Sequence, residues 1–171
     1  LIARYPDLVQ QREMHKAVFD VLIRNFKKLA RLVVRLGGRV HYEWLEGCTL
    51  WKELVVADMV RELNLDSATF HGCALGIVAL RSKKHRGLPI KKPMKVASQS
   101  TRLLEDLRKL QCPGDSVHPD HAVCSGGDTR FTAFYTPTFC RTIHDAFHRD
   151  CLEQCGMCAA TTAMCESRGD I

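Results

Sequence analysis

The sequence lacks an apolar run long enough to cross a membrane, since a transmembrane helix needs ~20 consecutive apolar residues. The first eight residues have neither the basic start nor the long apolar stretch of a signal peptide. We therefore expect no membrane contact and an intracellular location, in the cytoplasm or the nucleus. Because the chain begins with Leu1 and not with methionine, we interpret it as a fragment of a longer protein.

Motifs of several common enzyme classes are also missing. There is no Gly-x-x-x-x-Gly-Lys-[Ser/Thr] phosphate loop, no His-Glu-x-x-His metalloprotease helix and no Gly-x-Ser-x-Gly nucleophile elbow. These absences argue against nucleotide hydrolysis, zinc-dependent proteolysis and serine-dependent ester hydrolysis. The sequence predicts no catalytic residue, and we expect the chain to be inactive as an enzyme.

Cysteine, in contrast, is abundant. Nine cysteines, an odd number without a signal peptide, fit reduced thiols or metal ligands better than a disulfide framework. Four residues with the spacing Cys-x5-His-x2-His-x2-Cys lie in one loop rich in proline and glycine and could complete a tetrahedral zinc site: Cys112, His118, His121 and Cys124. The alternative is a polar surface loop with unpaired thiols. A second, weaker group follows near the end of the chain, at His144, His148, Cys151, Cys155 and Cys158.

The net charge of +6 is concentrated in two clusters that contain no acidic residue. The first is Arg24, Lys27, Lys28, Arg31, Arg35 and Arg39, and the second is Arg81, Lys83, Lys84, Arg86, Lys91, Lys92 and Lys95. Either cluster suits a polyanion such as DNA or RNA, and either can be a solvated face.

The order of predicted elements is that of an α/β domain. Apolar periodicity predicts helices at 14–36, 50–63, 101–110 and from Pro137 to about Gln154, with Ser100 as a helix cap. Strands are predicted at 39–44, 68–74 and 93–98. We divide the chain into an α/β domain, 1–128, and a helical Cys/His-containing tail, 129–171, that is unstructured from Ala159 onward.

Several segments in the middle of the chain together resemble a methyltransferase-like domain. They are Gly38-Arg-Val-His-Tyr-Glu-Trp-Leu45, Phe70-His-Gly-Cys-Ala-Leu-Gly76, Gly87-Leu-Pro-Ile-Lys-Lys-Pro-Met-Lys-Val-Ala-Ser98 and Cys112 with His118 and His121. Domains of this kind, related to cytosine-5 DNA methylases, occur in retrotransposon-like polyproteins of dinoflagellates and other protists. The resemblance covers about half of the chain and implies a partial Rossmann-like sheet of about three strands flanked by helices.

The resemblance also implies roles for individual residues. Glu43 matches the carboxylate that contacts the target base, although Trp44 and Leu45 depart from the family pattern after it. Lys91, Lys92 and Lys95 lie where those enzymes carry a basic motif beside the DNA. The alternative is that these four residues are simply solvated at strand ends.

The parts of a methyltransferase that hold S-adenosylmethionine and attack the base have no counterpart. No Gly-x-Gly loop occurs, and no cysteine follows a proline at the required strand end. Two hypotheses follow. The chain is the C-terminal half of a methyltransferase-like domain, silent without a missing N-terminal half that would bind S-adenosylmethionine, or it is a zinc-stabilised module that binds nucleic acid or another partner.

Overall fold

A computed structural model describes residues 6–166 of the chain, and the side chains of residues 7–155. The described residues form two compact units, one comprising residues 6–40 together with Cys48–Leu65, the other His41–Gly47 together with residues 66–166. None of the described helices is long and apolar enough to cross a membrane. The predicted boundary between residues 128 and 129 falls inside the second unit.

The first unit is a pair of helices, α1 (Pro6–Arg35) and α2 (Leu54–Glu62), with a 3-10 turn at Thr49–Lys52 before α2. Ile23 and Ala30 of α1 are buried, as are Val56 and Met59 of α2. Ion pairs join the two helices, because the Glu62 carboxylate of α2 pairs with both Lys27 and Arg31 of α1. These two cations lower the pKa of Glu62 to about 2. Part of the first basic cluster is therefore neutralised within the unit.

The second unit contains a sheet of three strands, β1 (His41–Leu45), β2 (Asp66–His71) and β3 (Pro93–Ser98), in the order β1-β3-β2. The central strand, β3, is antiparallel to both neighbours. The predicted α/β class and the three strands are confirmed, but the sheet is not the parallel sheet that a Rossmann-like fold requires. The physical reason is that no crossover helix connects β2 to β3, so the chain reverses direction between them.

Two helices accompany one face of this sheet. Helix α3 (Thr101–Lys109) begins at Ser100, whose hydroxyl accepts a hydrogen bond from the N–H of Leu103 at 3.1 Å, as predicted. Helix α5 (Pro137–Glu166) begins after Thr136 and contributes Phe139, which stacks on Phe70 of β2. Ala68, Phe70, Met94, Val96, Leu103, Leu104, Leu107, Phe139 and Ala146 form the core with residues of the β2–β3 connection.

The end of the chain differs from the prediction. The helix predicted to end near Gln154 continues to Glu166, through the stretch from Ala159 that was expected to be unstructured. Between α3 and α5 the structure adds a short helix, α4 (Gly127–Phe131), in a segment where no clear element was predicted. Residues 167–171 lie outside the described part of the chain.

Candidate metal centre and basic loop

Four potential metal ligands converge beside the end of β2. They come from three places: Cys73 from the 3-10 turn Gly72–Leu75 that follows β2, Cys112 from the segment after α3, and His118 and His121 from the turn beyond it. One ligand atom from each residue lies within 4.8 Å of the other three. Two thiols and two imidazoles in this arrangement match the donor set of a structural zinc site.

Cys112 lies at the centre of the cluster. Its Sγ is 3.4 Å from Nε2 of His121 and 3.8 Å from Nδ1 of His118. The turn that presents both histidines closes on Gly114, whose carbonyl accepts the N–H of His118 at 2.9 Å. All four ligands belong to the protein, so an ion held here would have a closed coordination shell without a position for substrate. The arrangement favours a structural role for the metal.

Close packing of the backbone fixes the position of Cys73. The N–H of the preceding residue, Gly72, donates to the carbonyl of Lys91 at 2.7 Å. A Cβ atom at Gly72 would lie 2.9 Å from Cδ1 of Ile77 and 3.2 Å from the carbonyl oxygen of Ile90. The turn therefore favours glycine at this position, because a larger residue would have to shift its neighbours next to Cys73.

A histidine outside the four ligands holds Cys112 in place. Nδ1 of His71 accepts a hydrogen bond from the backbone N–H of Cys112 at 3.0 Å, so the proton of this imidazole is on Nε2. Burial is the main cause that lowers the pKa of His71, and the nearby charge of Lys91 adds to it. Both favour the neutral ring that this hydrogen bond needs. His71 was assigned no role from the sequence.

Without an ion, the two thiols oppose each other's ionisation. Burial, and then a hydrogen bond with Cys112, raises the pKa of Cys73 to about 11. A divalent cation would reverse this preference, because zinc binds thiolate and releases the proton. The residues therefore fit zinc in number, donor type and proximity.

The structure brings together three of the four predicted ligands and replaces the fourth. Cys124 is outside the cluster, with its Sγ 3.3 Å from the hydroxyl of Thr132 and its side chain packed against the core. Cys73 takes its place. The apolar residues around Cys73 are typical of an inert buried thiol, so no signal in the sequence marked it as a ligand. Among described side chains, the residues of α5 form no comparable group; Cys158 is outside those side chains.

The second basic cluster, apart from Lys95 of β3, lies on the connection between β2 and β3, which forms a ribbon. Residues 77–79 pair with residues 88–90, as in the hydrogen bond from the N–H of Ala79 to the carbonyl of Leu88, so the connection folds back on itself. The tip of this ribbon, residues 81–87, is called the basic loop below. The side chains of Arg81, Lys83, Lys84 and Arg86 are exposed on it.

Asp128 anchors the basic loop from α4. Its buried carboxylate accepts the backbone N–H groups of Leu80 (2.7 Å), Arg81 (2.8 Å) and Ser82 (3.1 Å). The hydrogen bond from Arg81 is the first cause that holds the pKa of Asp128 below its usual value. The Arg81 guanidinium also lies 4.7 Å from the centre of the Phe131 ring. The loop therefore has a fixed start, although nothing in the sequence marked Asp128.

The four residues predicted to contact nucleic acid are dispersed. Glu43 and Lys95 lie on opposite faces of the sheet, because Glu43 pairs with Val96 and Lys95 is the next residue along β3. The ammonium group of Lys92 donates a hydrogen bond to the carbonyl of Thr132. Lys91 is exposed just before β3.

Glu43 is bound within the unit. It accepts a hydrogen bond from the hydroxyl of Tyr135 at 3.1 Å. Burial raises the pKa of Glu43, and the contacts with Tyr135 and Lys92 oppose this shift. Burial, and then the charge of Glu43, raises the pKa of Tyr135 to about 12. The carboxylate thus orients the Tyr135 ring.

An aromatic pocket opens next to the basic loop. Its walls include Leu80, Phe131, Phe134 and Tyr135, of which Phe134 is 69% exposed and Tyr135 is 53% exposed. The edge-to-face contact of Tyr135 with Phe139, at 4.8 Å between ring centres, fixes one ring while leaving much of it open. Exposed aromatic rings beside a basic loop, one of them held by Phe139 and Glu43, are suited to stacking with planar groups.

Protein families, curated proteins and solved structures were compared with the chain, and none of the three comparisons gives a match. The resemblance to the methyltransferase-like domain stays a prediction based on the motifs quoted above.

Proposed function

We propose that this chain is a zinc-stabilised module that binds single-stranded nucleic acid. The observation that carries the proposal is the cluster of Cys73, Cys112, His118 and His121, whose ligand atoms lie within 4.8 Å of one another. A bound zinc ion would join the turn after β2 to the segment after α3. It would thereby fix the base of the ribbon that carries the basic loop.

Charge supports nucleic acid as the partner. The basic loop has no acidic residue, and among the described side chains Lys83, Lys84 and Arg86 form no ion pair. Exposed cations of this kind attract phosphates through release of condensed counterions. The nearby aromatic pocket supports an unpaired strand over a duplex, since bases can stack on Phe134 and Tyr135 only where they are not already stacked in a helix.

The zinc part of the proposal is tested by metal analysis of purified chain. We expect one equivalent of zinc, lost in His121→Ala and retained in the matched variant His144→Ala, which removes an exposed imidazole from α5. Retention of zinc by His121→Ala, or absence of zinc from the unaltered chain after refolding with the ion, would contradict the proposed centre.

The nucleic-acid part is tested by fluorescence anisotropy with a labelled oligothymidylate of about twelve nucleotides, a length within the ~4–16 nucleotides of common single-strand sites. Lys83→Glu with Lys84→Glu should weaken binding and reduce the salt slope by about one for each phosphate that the loop no longer neutralises. Lys28→Glu with Lys52→Glu makes the same charge change outside the basic loop and should matter far less. An equal decrease of affinity in both variants would exclude the loop as the binding surface.

The stacking role has its own test. A strand of equal length with abasic sites keeps the phosphates but lacks the bases. The unaltered chain should bind it more weakly than oligothymidylate, and Phe134→Ala should remove that difference, roughly a fivefold effect or more. Phe147→Ala removes a similarly exposed ring from α5, outside the aromatic pocket, so it is the matched control. Equal affinity of the unaltered chain for both strands would contradict stacking.

A methyltransferase-related origin remains a second proposal for the ancestry of the chain. It is supported by the motifs of the middle segments and not by the sheet, whose antiparallel strands differ from those of a Rossmann-like domain. S-adenosylmethionine binding would require a preceding segment with a glycine-rich loop. A longer transcript that encodes such a loop, and a Pro-Cys motif, upstream of Leu1 would support this origin.

A further inference from the structure

Two thiols of the Cys/His cluster lie close enough to react with each other. The Sγ atoms of Cys73 and Cys112 are among the ligand atoms that lie within 4.8 Å of one another, and the two thiols share a hydrogen bond. Among the described side chains, this is the one group of potential metal ligands that contains two cysteines. Paired thiols are the starting point of a disulfide, whose sulfur atoms are about 2.0 Å apart.

The backbone holds the segments of the two cysteines side by side. The N–H of His71 donates to the carbonyl of Leu110 at 2.9 Å, and the N–H of Cys112 donates to Nδ1 of His71 at 3.0 Å. Cys73 follows His71 by two positions, in the 3-10 turn after β2. The two segments are therefore already joined next to the cysteines, so a disulfide would link neighbours and would not require remote parts of the chain to meet.

A cavity of about 410 Å³ gives small molecules access to this pair. Cys73 and His118 line it, together with Leu88 and Pro89 of the ribbon and Val117, the residue before His118. Cys73 is only 6% exposed, but Val117 is 62% exposed, so the cavity communicates with solvent. A molecule as small as hydrogen peroxide can therefore reach Cys73 from this side.

We propose that Cys73 and Cys112 form a redox-active pair, which a peroxide converts into a disulfide with release of the zinc ion. The release of zinc rests on the proposed zinc centre, whereas the disulfide needs only the two thiols. An apolar setting keeps a thiol inert by holding its proton, but zinc binds thiolates, the form that attacks peroxides. A cluster that binds zinc through Cys73 and Cys112 therefore keeps both sulfurs in the oxidisable form.

The reaction takes two electrons from the sulfurs and gives them to the peroxide. The Cys73 thiolate attacks one oxygen of hydrogen peroxide, the O–O bond breaks and hydroxide leaves, which forms a sulfenic acid. The Cys112 thiolate then attacks this sulfur, the S–O bond breaks, a second hydroxide leaves and the S–S bond forms. Two protons from solvent convert the hydroxides into water. His118 and His121 then remain as ligands, too few for the four-coordinate shell of a structural zinc ion.

Peroxide treatment of the zinc-loaded chain tests the pair. Zinc content is measured first, so absence of zinc at that stage would count against the proposed centre alone. On addition of hydrogen peroxide we expect a chromophoric chelator to detect zinc as two thiols per chain are lost, and peptide mapping by mass spectrometry to find Cys73 joined to Cys112. A dithiol reductant followed by zinc should restore the starting state. Cys124→Ala removes a thiol outside the cluster and should behave like the unaltered chain.

The variant Val117→Phe tests the path of access. A larger side chain at the cavity should slow zinc release several-fold, while the zinc content before peroxide is unchanged. Val123→Phe makes the same change at an exposed residue outside the cavity and should leave the rate unaltered. Equal rates of release in the two variants would overturn the cavity as the route to Cys73.

Several results would overturn the redox pair itself. They are retention of zinc and thiols under peroxide that fully oxidises free cysteine, a disulfide that joins other cysteines in place of this pair, and loss of zinc through sulfinic acid on Cys73 without a disulfide. The metal-free chain should form the same disulfide with peroxide at alkaline pH, where more of each thiol is ionised. This measurement decides the pair if the chain proves to bind no zinc.

Discussion

Two clamps hold the connections around the sheet, and they differ in what each needs to be complete. The Asp128 carboxylate accepts the backbone N–H groups of Leu80 and of the first two residues of the basic loop, Arg81 and Ser82, so this clamp consists of protein atoms alone. The Cys/His cluster brings four ligands together, but burial and the neighbouring Cys112 disfavour the thiolate of Cys73, the form that a metal ion would bind. The first clamp is formed whenever the chain folds, whereas the second, under the zinc proposal, would be complete only with a metal ion bound.

Removal of metal from the Cys/His cluster should lower the thermal stability of the chain more than any other change considered for the two clamps. We expect chelation, or Cys73→Ala, to lower the Tm of the zinc-loaded chain by more than about 10 °C, since structural zinc contributes ~10–16 kcal/mol in small zinc domains. Thermal unfolding followed by circular dichroism, with and without chelator, measures this shift. A Tm that is indifferent to chelation would show that the cluster does not stabilise the fold.

Asp128→Asn should have the next largest effect. The amide keeps the shape of the side chain but removes the charge that accepts three N–H groups, so we expect a Tm lower by roughly 5 °C with zinc content unchanged. Thermal unfolding together with zinc analysis checks both outcomes.

The acid dependence of stability distinguishes the Asp128 charge from its shape. The pKa of Asp128 is lowered in the folded chain from an ordinary value of 3.8, so its contribution is present above that value and is lost as pH falls through the folded pKa. The difference in stability between the unaltered chain and Asp128→Asn should therefore be constant near neutral pH and shrink below about pH 4. A difference that persists unchanged in acid would point to packing.

Gly72→Ala should have a moderate effect that is confined to the metal clamp. The added methyl group would lie 2.9 Å from the Ile77 side chain, and overpacking of this kind costs about 1–3 kcal/mol. Displacement of Cys73 should also weaken zinc binding, which a competition titration with a chromophoric chelator measures. Gly47→Ala is the control, because a Cβ there meets nothing within 4 Å.

Cys124→Ala should have the smallest effect. It removes a predicted ligand that the structure places beside Thr132, so we expect full zinc content and a decrease in stability below about 1 kcal/mol. Zinc analysis of this variant beside Cys73→Ala compares the two candidates for the fourth ligand directly. Zinc loss in Cys124→Ala alone would restore the ligand set predicted from the sequence.

Local signals in the sequence were sufficient for several elements. Strand β3 has the predicted bounds, and α3 begins at the predicted cap, because alternation and capping depend on residues a few positions apart. The same holds for His118 and His121, which lie in one loop with Cys112 in both the prediction and the structure.

Long-range contacts account for what the sequence did not reveal. Cys73 joins the cluster only because the chain returns after β3 and α3, and spacing within one loop pointed to Cys124 in its place. A parallel sheet was implied only by the resemblance to a Rossmann-like domain, since the order of elements is the same for a parallel sheet and for one with β3 inserted between its neighbours. Asp128 meets the basic loop across 46–48 positions of sequence, beyond the reach of any local pattern.

The position of Asp128 has a consequence for how the basic loop can recognise a ligand. Successive backbone N–H groups that converge on one point form a cradle for phosphate in many proteins. Here the Asp128 carboxylate already accepts these N–H groups, so a phosphate could bind them only by displacing it. The loop is thus left with its flexible lysine and arginine side chains as contacts for an anion. Recognition should therefore follow the number of charges on the ligand and tolerate variation in the geometry of its backbone.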